Sequence, residues 1–195
     1  MSIQFKFDPK IICPDDPTAT PERIKGYKSH YATKYLICKL LNPKVIVEIG
    51  VRAGYSSWTF FQACPDATVY GFDNNCGKHG GQGGEGGKYK QWAKKILAAY
   101  HFCYYELDTQ IVSKLPIAED IDFFHIDGDH TRQGVYHDLR LAIKQVKKGG
   151  YVLIDDIDYI PEVADGVSDF ARLYKREIEY IYIPSFRGEI LMRKK

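Results

Sequence analysis

Residues 44–56 read KVIVEIGVRAGYS, and this stretch decides the fold class. The β-branched run KVIVEI is typical of a buried strand, and the material from Tyr55 onward is typical of a helix. Between the two, Gly50 and Gly54 mark a tight turn in which a backbone without Cβ atoms can approach a ligand closely. The stretch therefore predicts a strand–turn–helix unit, and its turn is a candidate ligand loop.

The alternation of strand and helix continues along the chain. Further strands are predicted at residues 68–72, 101–107, 121–126 and 151–154, and helices at 21–41, 55–63, 88–100 and around 135–146 and 163–174. Gly149 and Gly150 are expected to stop the helix that precedes residue 151. Strands joined in turn by helices form a parallel sheet that is covered on both faces.

The end of the chain breaks this pattern. Two strand-like segments, residues 178–183 and 189–192, are separated by only five residues. A parallel crossover needs a dozen or more residues, so the last strand must run antiparallel to its predecessor. The sequence thus predicts an α/β fold, a Rossmann-like three-layer αβα sandwich with a seven-stranded, mostly parallel sheet and an antiparallel last strand.

Length and charge narrow the function classes. With 195 residues the chain is expected to form one domain, 1–195, with an N-terminal extension at 1–20 and a Gly-rich loop at 77–87. Twenty-seven Lys and Arg against 25 Asp and Glu give a net charge of +2, which argues against a nucleic-acid or membrane-surface partner. No signal peptide or membrane span is expected either.

The cysteines indicate the compartment. Five cysteines without a C-x-x-C pair predict neither a disulfide framework nor a zinc knuckle, and they favour a reducing cytoplasm. Seven of the eleven residues from Gly77 to Gly87 are glycine, so this segment is either a surface loop without a role or a mobile lid over the strand ends.

Two acidic residues at strand ends suggest a nucleoside site. Asp73 ends the second strand, 23 residues after Gly50, where a carboxylate can accept hydrogen bonds from both ribose hydroxyls. Asp108 follows the third strand and either reaches an adenine amino group or caps a helix. Arg52 stands where a dinucleotide fingerprint would have its second glycine, which disfavours a nicotinamide cofactor.

Three carboxylates are expected to meet at the ends of the fourth and fifth strands. Asp127 lies in the stretch HIDGDH at 125–130, and Asp155 and Asp156 follow the next strand. Crowded like charges need a positive group between them, and Mg²⁺ prefers carboxylate oxygens and water. The three residues are therefore candidate metal ligands, with helix capping as the alternative.

His130 is the candidate general base of this stretch, because its ordinary pKa suits proton abstraction near neutral pH. Asp129 is a weaker candidate, and a structural hydrogen-bonding role for His130 remains the alternative. His125 lies within the strand and is expected in the core.

These motifs together resemble a class I S-adenosylmethionine-dependent methyltransferase, and more narrowly the metal-dependent small-molecule O-methyltransferases of the catechol and macrolide-sugar type. The motifs are E-I-G-x-x-x-G-Y-S from Glu48, the acidic end of the second strand, I-D-G-D-H from Ile126 and the Asp-Asp pair after G-G-Y-V-L-I. The likeness covers roughly residues 21–195. Only the Gly-rich segment departs from it, where relatives usually carry an ordered substrate loop.

The resemblance implies roles for individual residues. It implies that Glu48, Gly50, Gly54 and Ser56 surround the methionine part of S-adenosylmethionine, that Asp73 holds the ribose, and that Asp127 adjoins the cofactor as well as the metal. It implies Mg²⁺ ligation by Asp127, Asp155 and Asp156, with His130 at the position of the family's base. The implied reaction is methyl transfer to a hydroxyl of a small molecule such as a phenol, a sugar or a natural product.

Other functions stay open at this stage. One is a nucleic-acid or protein methyltransferase on the same fold. Enzymes that methylate the amino group of a base would be expected to have Asn or Asp followed by Pro-Pro and an aromatic residue after the fourth strand, whereas this chain has Ile-Asp-Gly-Asp-His there. Another is a cofactor-binding scaffold without turnover. A homo-oligomer is possible, and the tyrosines at 27, 31 and 35 would line a pocket, an interface or, as the favoured interpretation, the core.

Overall fold

A computed structural model describes residues 5–76 and 87–195. The strands are β1 (Val45–Ile49), β2 (Thr68–Asp73), β3 (Phe102–Glu106), β4 (Ile121–Ile126), β5 (Val146–Ile154), β6 (Ile178–Ile183) and β7 (Glu189–Lys194). The helices are α1 (Pro21–Leu41), α2 (Tyr55–Ala63), α3 (Lys88–Ile96), α4 (Arg132–Gln145) and α5 (Pro161–Tyr174), with short 3₁₀ turns at Pro9–Ile11 and Thr109–Ile111.

The seven strands form one sheet in the order β3-β2-β1-β4-β5-β7-β6. Neighbours from β3 to β5 pair in parallel, whereas β7 pairs antiparallel with both β5 and β6. The predicted fold class and the reversed last strand are confirmed. The order places β1 and β4 at the centre, where the connections leave in opposite directions, which is where open α/β sheets bind their ligands.

Helices cover both faces of the sheet. On one face, the apolar side chains of α4 and α5, among them Leu139 and Phe170, pack against Val47, Phe72 and Ile126. On the other face, α1, α2 and α3 contribute to a second core. Its buried helical residues are Ile37, Cys38, Phe60, Phe61 and Ala93. Two buried faces explain why β1 and β4 are apolar almost throughout.

One boundary differs from the prediction. Helix α4 ends at Gln145, and Val146 already belongs to β5, so Gly149 and Gly150 do not cap the helix. The pairing of β4 with β5 shifts between Ile121 and Phe123, and Gly149 has φ +79° within that irregularity. Between these paired positions β5 has three more residues than β4, and the glycine pair lies in this irregular stretch, where the left-handed backbone of Gly149 favours glycine.

The N-terminal extension packs onto the domain in its described part. Phe7, Ile11 and Cys13 are buried in a third cluster with tyrosines of α1 and α2. The Nε1 atom of Trp92 donates to the carbonyl oxygen of Ile11 at 2.6 Å. Tyr27 and Tyr31 are buried in the same cluster and also line the cavity at the strand ends, so the core and the pocket interpretations of the tyrosine series both apply to them.

Two further expectations concern the whole chain. All five cysteines are free, as their spacing predicted. None of the helices in residues 5–76 and 87–195 combines the length and apolarity that crossing a membrane requires. The Gly-rich segment, apart from Gly87, lies outside the described residues.

Candidate functional site

The carboxyl ends of four strands meet at one edge of the sheet. Backbone hydrogen bonds extend the pairing past the strands: Gly50 N donates to Phe72 O at 2.9 Å and Asp127 N to Ile49 O at 2.9 Å. Asp155 N donates to Ile126 O at 3.2 Å. These bonds set the turns after β1, β4 and β5 side by side around a cavity of about 320 Å³, a size typical of small-ligand sites.

Gly50 is required by the close approach of two of these turns. Its φ is +89°, and a Cβ atom would lie 1.9 Å from the carbonyl oxygen of Asp127. No side chain fits there, and the left-handed backbone also favours glycine. Gly50 therefore brings the β1 turn against the β4 turn, so that both line the same cavity.

The other predicted residues of the first turn divide into lining and supporting positions. Ser56 lines the cavity, whereas Gly54 has φ +81° and faces α3, where a Cβ would lie 3.0 Å from that of Ala93. Glu48 is 1% exposed and lies below the cavity floor. It accepts a hydrogen bond from the Ser57 hydroxyl and pairs with His125 Nδ1 at 3.1 Å. His125 is buried, as expected from the sequence.

Asp73 is held rigidly at the end of β2. Its Oδ2 accepts from the backbone N–H of Arg52 at 2.7 Å, and its Oδ1 accepts from that of Asn75 at 2.7 Å. The carboxylate lines the cavity with its remaining lone pairs. A fixed acceptor pair at this strand end suits two neighbouring hydroxyl groups.

The side chain of Arg52 joins the cavity to the N-terminal extension, a contact that the sequence did not indicate. Its guanidinium makes a two-pronged contact with Asp16, at 2.6 and 2.8 Å, and stacks over the Tyr89 ring at 4.5 Å. Tyr55 also donates to Asp16 at 3.1 Å. The N-terminal extension is thereby fastened to the cavity rim.

Asp108 lines the cavity and also caps the 3₁₀ turn that follows it, because its Oδ1 accepts from Gln110 N at 2.9 Å. The next residues of this turn are tied to α4: Thr109 Oγ1 and Gln110 Nε2 donate to Asp138 Oδ1 at 2.8 and 2.9 Å. Burial is the main cause that raises the pKa of Asp138 to about 7. The capping alternative for Asp108 is present in the structure, and its position on the cavity keeps the adenine role open.

His130 and Asp127 form a pair on the opposite wall. His130 Nε2 lies 3.1 Å from Asp127 Oδ1 and 3.7 Å from Asp156 Oδ2. Burial lowers the pKa of His130, but the hydrogen bond and charge of Asp127 outweigh it and leave the pKa raised. Burial likewise raises the pKa of Asp127, and the bond with His130 reverses that and leaves it lowered. The pair is thus an imidazolium–carboxylate ion pair when His130 is protonated.

Asp129 lines the cavity beside this pair, and its side chain also organises the start of α4. Its Oδ1 accepts from Thr131 N at 2.8 Å. A Cβ at Gly134 would lie 2.1 Å from Asp129 Cγ, so the glycine makes room for this carboxylate. The contacts suit a structural carboxylate in the cavity wall.

Asp155 lies behind the cavity wall and is surrounded by cationic groups. It is 2% exposed, and its Oδ2 lies 3.0 Å from Lys34 Nζ and 3.2 Å from His30 Nε2. Its Oδ1 accepts from Asp156 N at 2.9 Å. The charges of His30 and Lys34 overcome the effect of burial and hold its pKa well below the ordinary value.

Lys34 is wholly buried, with Nζ also 2.5 Å from Glu189 Oε1 at the start of β7. One ammonium group therefore joins α1, the β5 turn and the last strand. In the sequence, Lys34 occupies the core-facing side of α1 together with Tyr27, Tyr31 and Cys38. A charge on a face that is otherwise buried was the available signal for this residue.

Asp156 lines the cavity in a left-handed backbone conformation, φ +63°. Arg187, from the loop between β6 and β7, places Nη1 at 2.9 and 3.2 Å from its two carboxylate oxygens. Burial and the neighbouring carboxylates Asp127 and Asp155 raise the pKa of Asp156 to about 6, against the effect of Arg187. Arg187 had no sequence signal, since only folding brings its loop to this cavity.

The predicted metal ligands do not converge as one set. Three groups bring a ligand atom from each member within 4.8 Å in the described residues: Asp127, His130 and Asp156; His125, Asp127 and Asp155; and His30, Asp155 and Glu189. Lys34 Nζ takes oxygens of the third group, and Arg187 takes both oxygens of Asp156. In the second group, a metal ion bound to Asp155 would lie close to the positive charge of Lys34. This donor set does not fit a hard divalent cation.

Comparisons with known proteins agree with this geometry. A family model described as a methyltransferase domain matches residues 47–157, more than half of the chain. The chain is 31% identical over 158 residues to uncharacterised protein R132 of Acanthamoeba polyphaga mimivirus, covering 74% of this chain and 70% of that protein.

Solved structures share the fold at low sequence identity. The O-methyltransferase TomG of Streptomyces achromogenes, in complex with SAM, is similar with a TM-score of 0.65, 18% identity and coverage of 86% of this chain and 80% of TomG. An O-methyltransferase of Bacillus cereus, in complex with SAH, has a TM-score of 0.66 at 16% identity, covering 93% of this chain and 84% of that one. The turn after β1, the strand order and the family match lead to one conclusion: the chain belongs to the methyltransferase domain family.

Proposed function

We propose that this protein transfers the methyl group of S-adenosylmethionine to a hydroxyl group of a small molecule. The observation that carries the proposal is that the fixed carboxylate of Asp73 and the Asp127–His130 pair line opposite ends of one cavity. One end suits a ribose, and the other suits proton removal from an acceptor. The names of TomG and the Bacillus cereus enzyme, both O-methyltransferases with SAM or SAH bound, support the same reaction class.

The cofactor half of the cavity would be formed by the ends of β1, β2 and β3. Gly50 and Ser56 line the part where the resemblance expects the methionine moiety, Asp73 the ribose and Asp108 the adenine. When bound, S-adenosylmethionine supplies an electrophilic methyl group on its sulfonium. The contribution of the chain is to hold that methyl in line with the acceptor oxygen, and orientation of this kind lowers barriers substantially.

The proton of the acceptor would go to His130. Nε2–H of the neutral imidazole donates to Asp127, so the free lone pair is on Nδ1, which has no hydrogen-bond partner within the described residues. Nδ1 would take the hydroxyl proton as the oxygen attacks the methyl carbon, with the electron pair of the broken bond left on the sulfur. Asp127 Oδ1, 3.1 Å from Nε2, then stabilises the imidazolium. The protonated histidine cannot accept a proton, so its raised pKa requires a pH above the ordinary histidine range for full activity.

Magnesium dependence, which the resemblance implies, enters no step of this proposal. The oxygens of Asp155 and Asp156 are engaged by Lys34 and Arg187, as described above. The proposed acceptor is a neutral or weakly acidic hydroxyl compound, and the near-neutral charge of the chain gives no support to a polyanionic acceptor.

The test is calorimetric titration with S-adenosylhomocysteine, followed by an activity screen. A Kd below about 1 mM is expected, with and without a chelator in the buffer. Phenols, catechols, sugars and amino compounds are then offered with S-adenosylmethionine, and release of S-adenosylhomocysteine is quantified for each. Absence of binding would refute the cofactor assignment, whereas binding with transfer only to amino compounds would refute the hydroxyl acceptor.

A further inference from the structure

We infer that Arg187 and Lys34 occupy the role that a divalent cation has in metal-dependent O-methyltransferases, so that this chain holds its acceptor-side carboxylates with side-chain cations. For turnover the inference rests on the proposed function, but its main test needs neither cofactor nor acceptor.

Side-chain cations balance the carboxylates on the acceptor side of the cavity. Asp127, Asp155, Asp156 and Glu189 bring four carboxylates to the acceptor side of the cavity and the wall behind it. Each has a cationic or protonatable partner within 3.2 Å. The pairs are Asp127 with His130, Asp155 with Lys34 and His30, Asp156 with Arg187, and Glu189 with Lys34. Crowded carboxylates require positive charge, and here the chain supplies it.

The packing of the fold holds Lys34 and Arg187 beside their carboxylates. Lys34 Nζ is enclosed between β5 and β7, and its side chain has no exposed surface. The loop that carries Arg187 is held on α1, because the ring of its neighbour Phe186 lies over Gly26, where a Cβ would approach the ring within 2.4 Å. Lys34 is fully enclosed and Arg187 is mostly buried, so neither pairing is an exposed surface contact.

Arg187 would also bind the acceptor during the reaction. Within the described structure, the hydrogen bonds of its guanidinium are all made by Nη1, to Asp156, while the group lies 5.0 Å from the centre of the Tyr159 ring and the side chain lines the cavity. Nη2 and Nε therefore retain N–H groups for an acceptor oxygen. A guanidinium stabilises the negative charge that develops on this oxygen, which is part of what a metal ion does as a Lewis acid. Arg187 is thus an acceptor-binding residue, and Lys34 is a positioning residue that acts through Asp155.

The test is Mn²⁺ binding, measured by electron paramagnetic resonance on wild type, Arg187→Ala and Arg187→Ala/Asp156→Asn. Wild type is expected to bind Mn²⁺ no better than about 1 mM. Removing the guanidinium exposes Asp127 and Asp156 to the ion, and at least a tenfold gain in affinity is expected. The gain should disappear in the double variant.

Arg132→Ala is the matched control. Arg132 also pairs with a carboxylate, Asp169 at 2.7 Å, but on the exposed surface and away from the cavity carboxylates. This variant should bind Mn²⁺ as weakly as wild type. Circular dichroism verifies that all variants are folded, and S-adenosylhomocysteine binding reports separately on the proposed function.

Two results would overturn the inference. If wild type binds Mn²⁺ tightly and Asp156→Asn removes that binding, the site takes a metal despite Arg187. If Arg187→Ala gains no affinity although it is folded, the guanidinium does not stand in the place of a cation. With an acceptor in hand, activity that persists in chelator and falls in Arg187→Ala is the corresponding kinetic result.

Discussion

The two halves of the cavity are built in different ways. In the cofactor half, the predicted residues Gly50 and Asp73 are positioned by the backbone of adjacent turns, such as the N–H groups of Arg52 and Asn75. In the acceptor half, the carboxylate of Asp155 is neutralised by Lys34, 121 residues away in the chain. A site made of local turns can be recognised from a motif, whereas a site balanced by distant charges cannot.

The largest effect is expected from Lys34→Met, which tests whether the acceptor half depends on its buried cation. The substitution leaves Asp155 and Glu189 buried with less compensation, at a cost of about 3–5 kcal/mol in the free energy of unfolding. Urea denaturation measures this cost. Lys28→Met, on the exposed side of α1, is the control and should change stability by less than about 0.5 kcal/mol. Equal stabilities for the two variants would remove the structural role of Lys34.

The next effect is expected from His130→Gln, which tests the proton path of the acceptor half. Turnover should fall on the order of 100-fold. In wild type, activity should rise with pH through the raised pKa of His130, as its neutral form accumulates. This rise should be absent from the variant.

S-adenosylhomocysteine affinity should be unchanged in His130→Gln, since the side chain belongs to the acceptor half. His101→Gln, an exposed position before β3, provides the matched control and should keep the wild-type pH profile. A variant at residue 130 with an intact pH profile would assign the base to another group, Asp129 first among the cavity residues.

A smaller effect is expected from Asp73→Asn, which tests the cofactor half. Losing the charge of a fixed carboxylate that accepts two hydroxyl hydrogen bonds should weaken S-adenosylhomocysteine about 10- to 100-fold. Calorimetry measures it, and Asp66→Asn, on the exposed turn before β2, is the control. Unchanged affinity would mean that the ribose does not lie at this strand end.

The smallest effect is expected at Asp108, and it separates the two roles of this residue. Asp108→Asn retains an acceptor for Gln110 N, so the capped turn should persist and affinity should change less than about fivefold. Asp108→Ala also loses the cap and should lower stability by about 1 kcal/mol. If both variants lose affinity equally while stability is unchanged, the carboxylate contacts the adenine and its capping role is secondary.

The sequence alone predicted most of the fold, because its signals are local. The β-branched run before Gly50 and the five-residue connection before β7 each restrict the backbone without reference to distant residues. The predicted end of α4 was wrong because a glycine pair suits both a helix cap and an irregular stretch of a strand, and only the pairing of β4 with β5 selects the strand. The placement of Asp73, Asp127, Asp129, His130 and Asp156 on one cavity followed from the rule that parallel strand ends share an edge.

Only the tertiary structure decided which charges balance the acceptor side. The sequence gives no distance between a lysine in the first helix and a carboxylate after the fifth strand, and the pairing arises because α1 packs on a face of the sheet, where Lys34 reaches the turn after β5. The same holds for Arg187, which reaches Asp156 through the antiparallel return of β7. Motifs determine what a strand end carries, because its chemistry is local, but electrostatic compensation acts through space and depends on the completed fold.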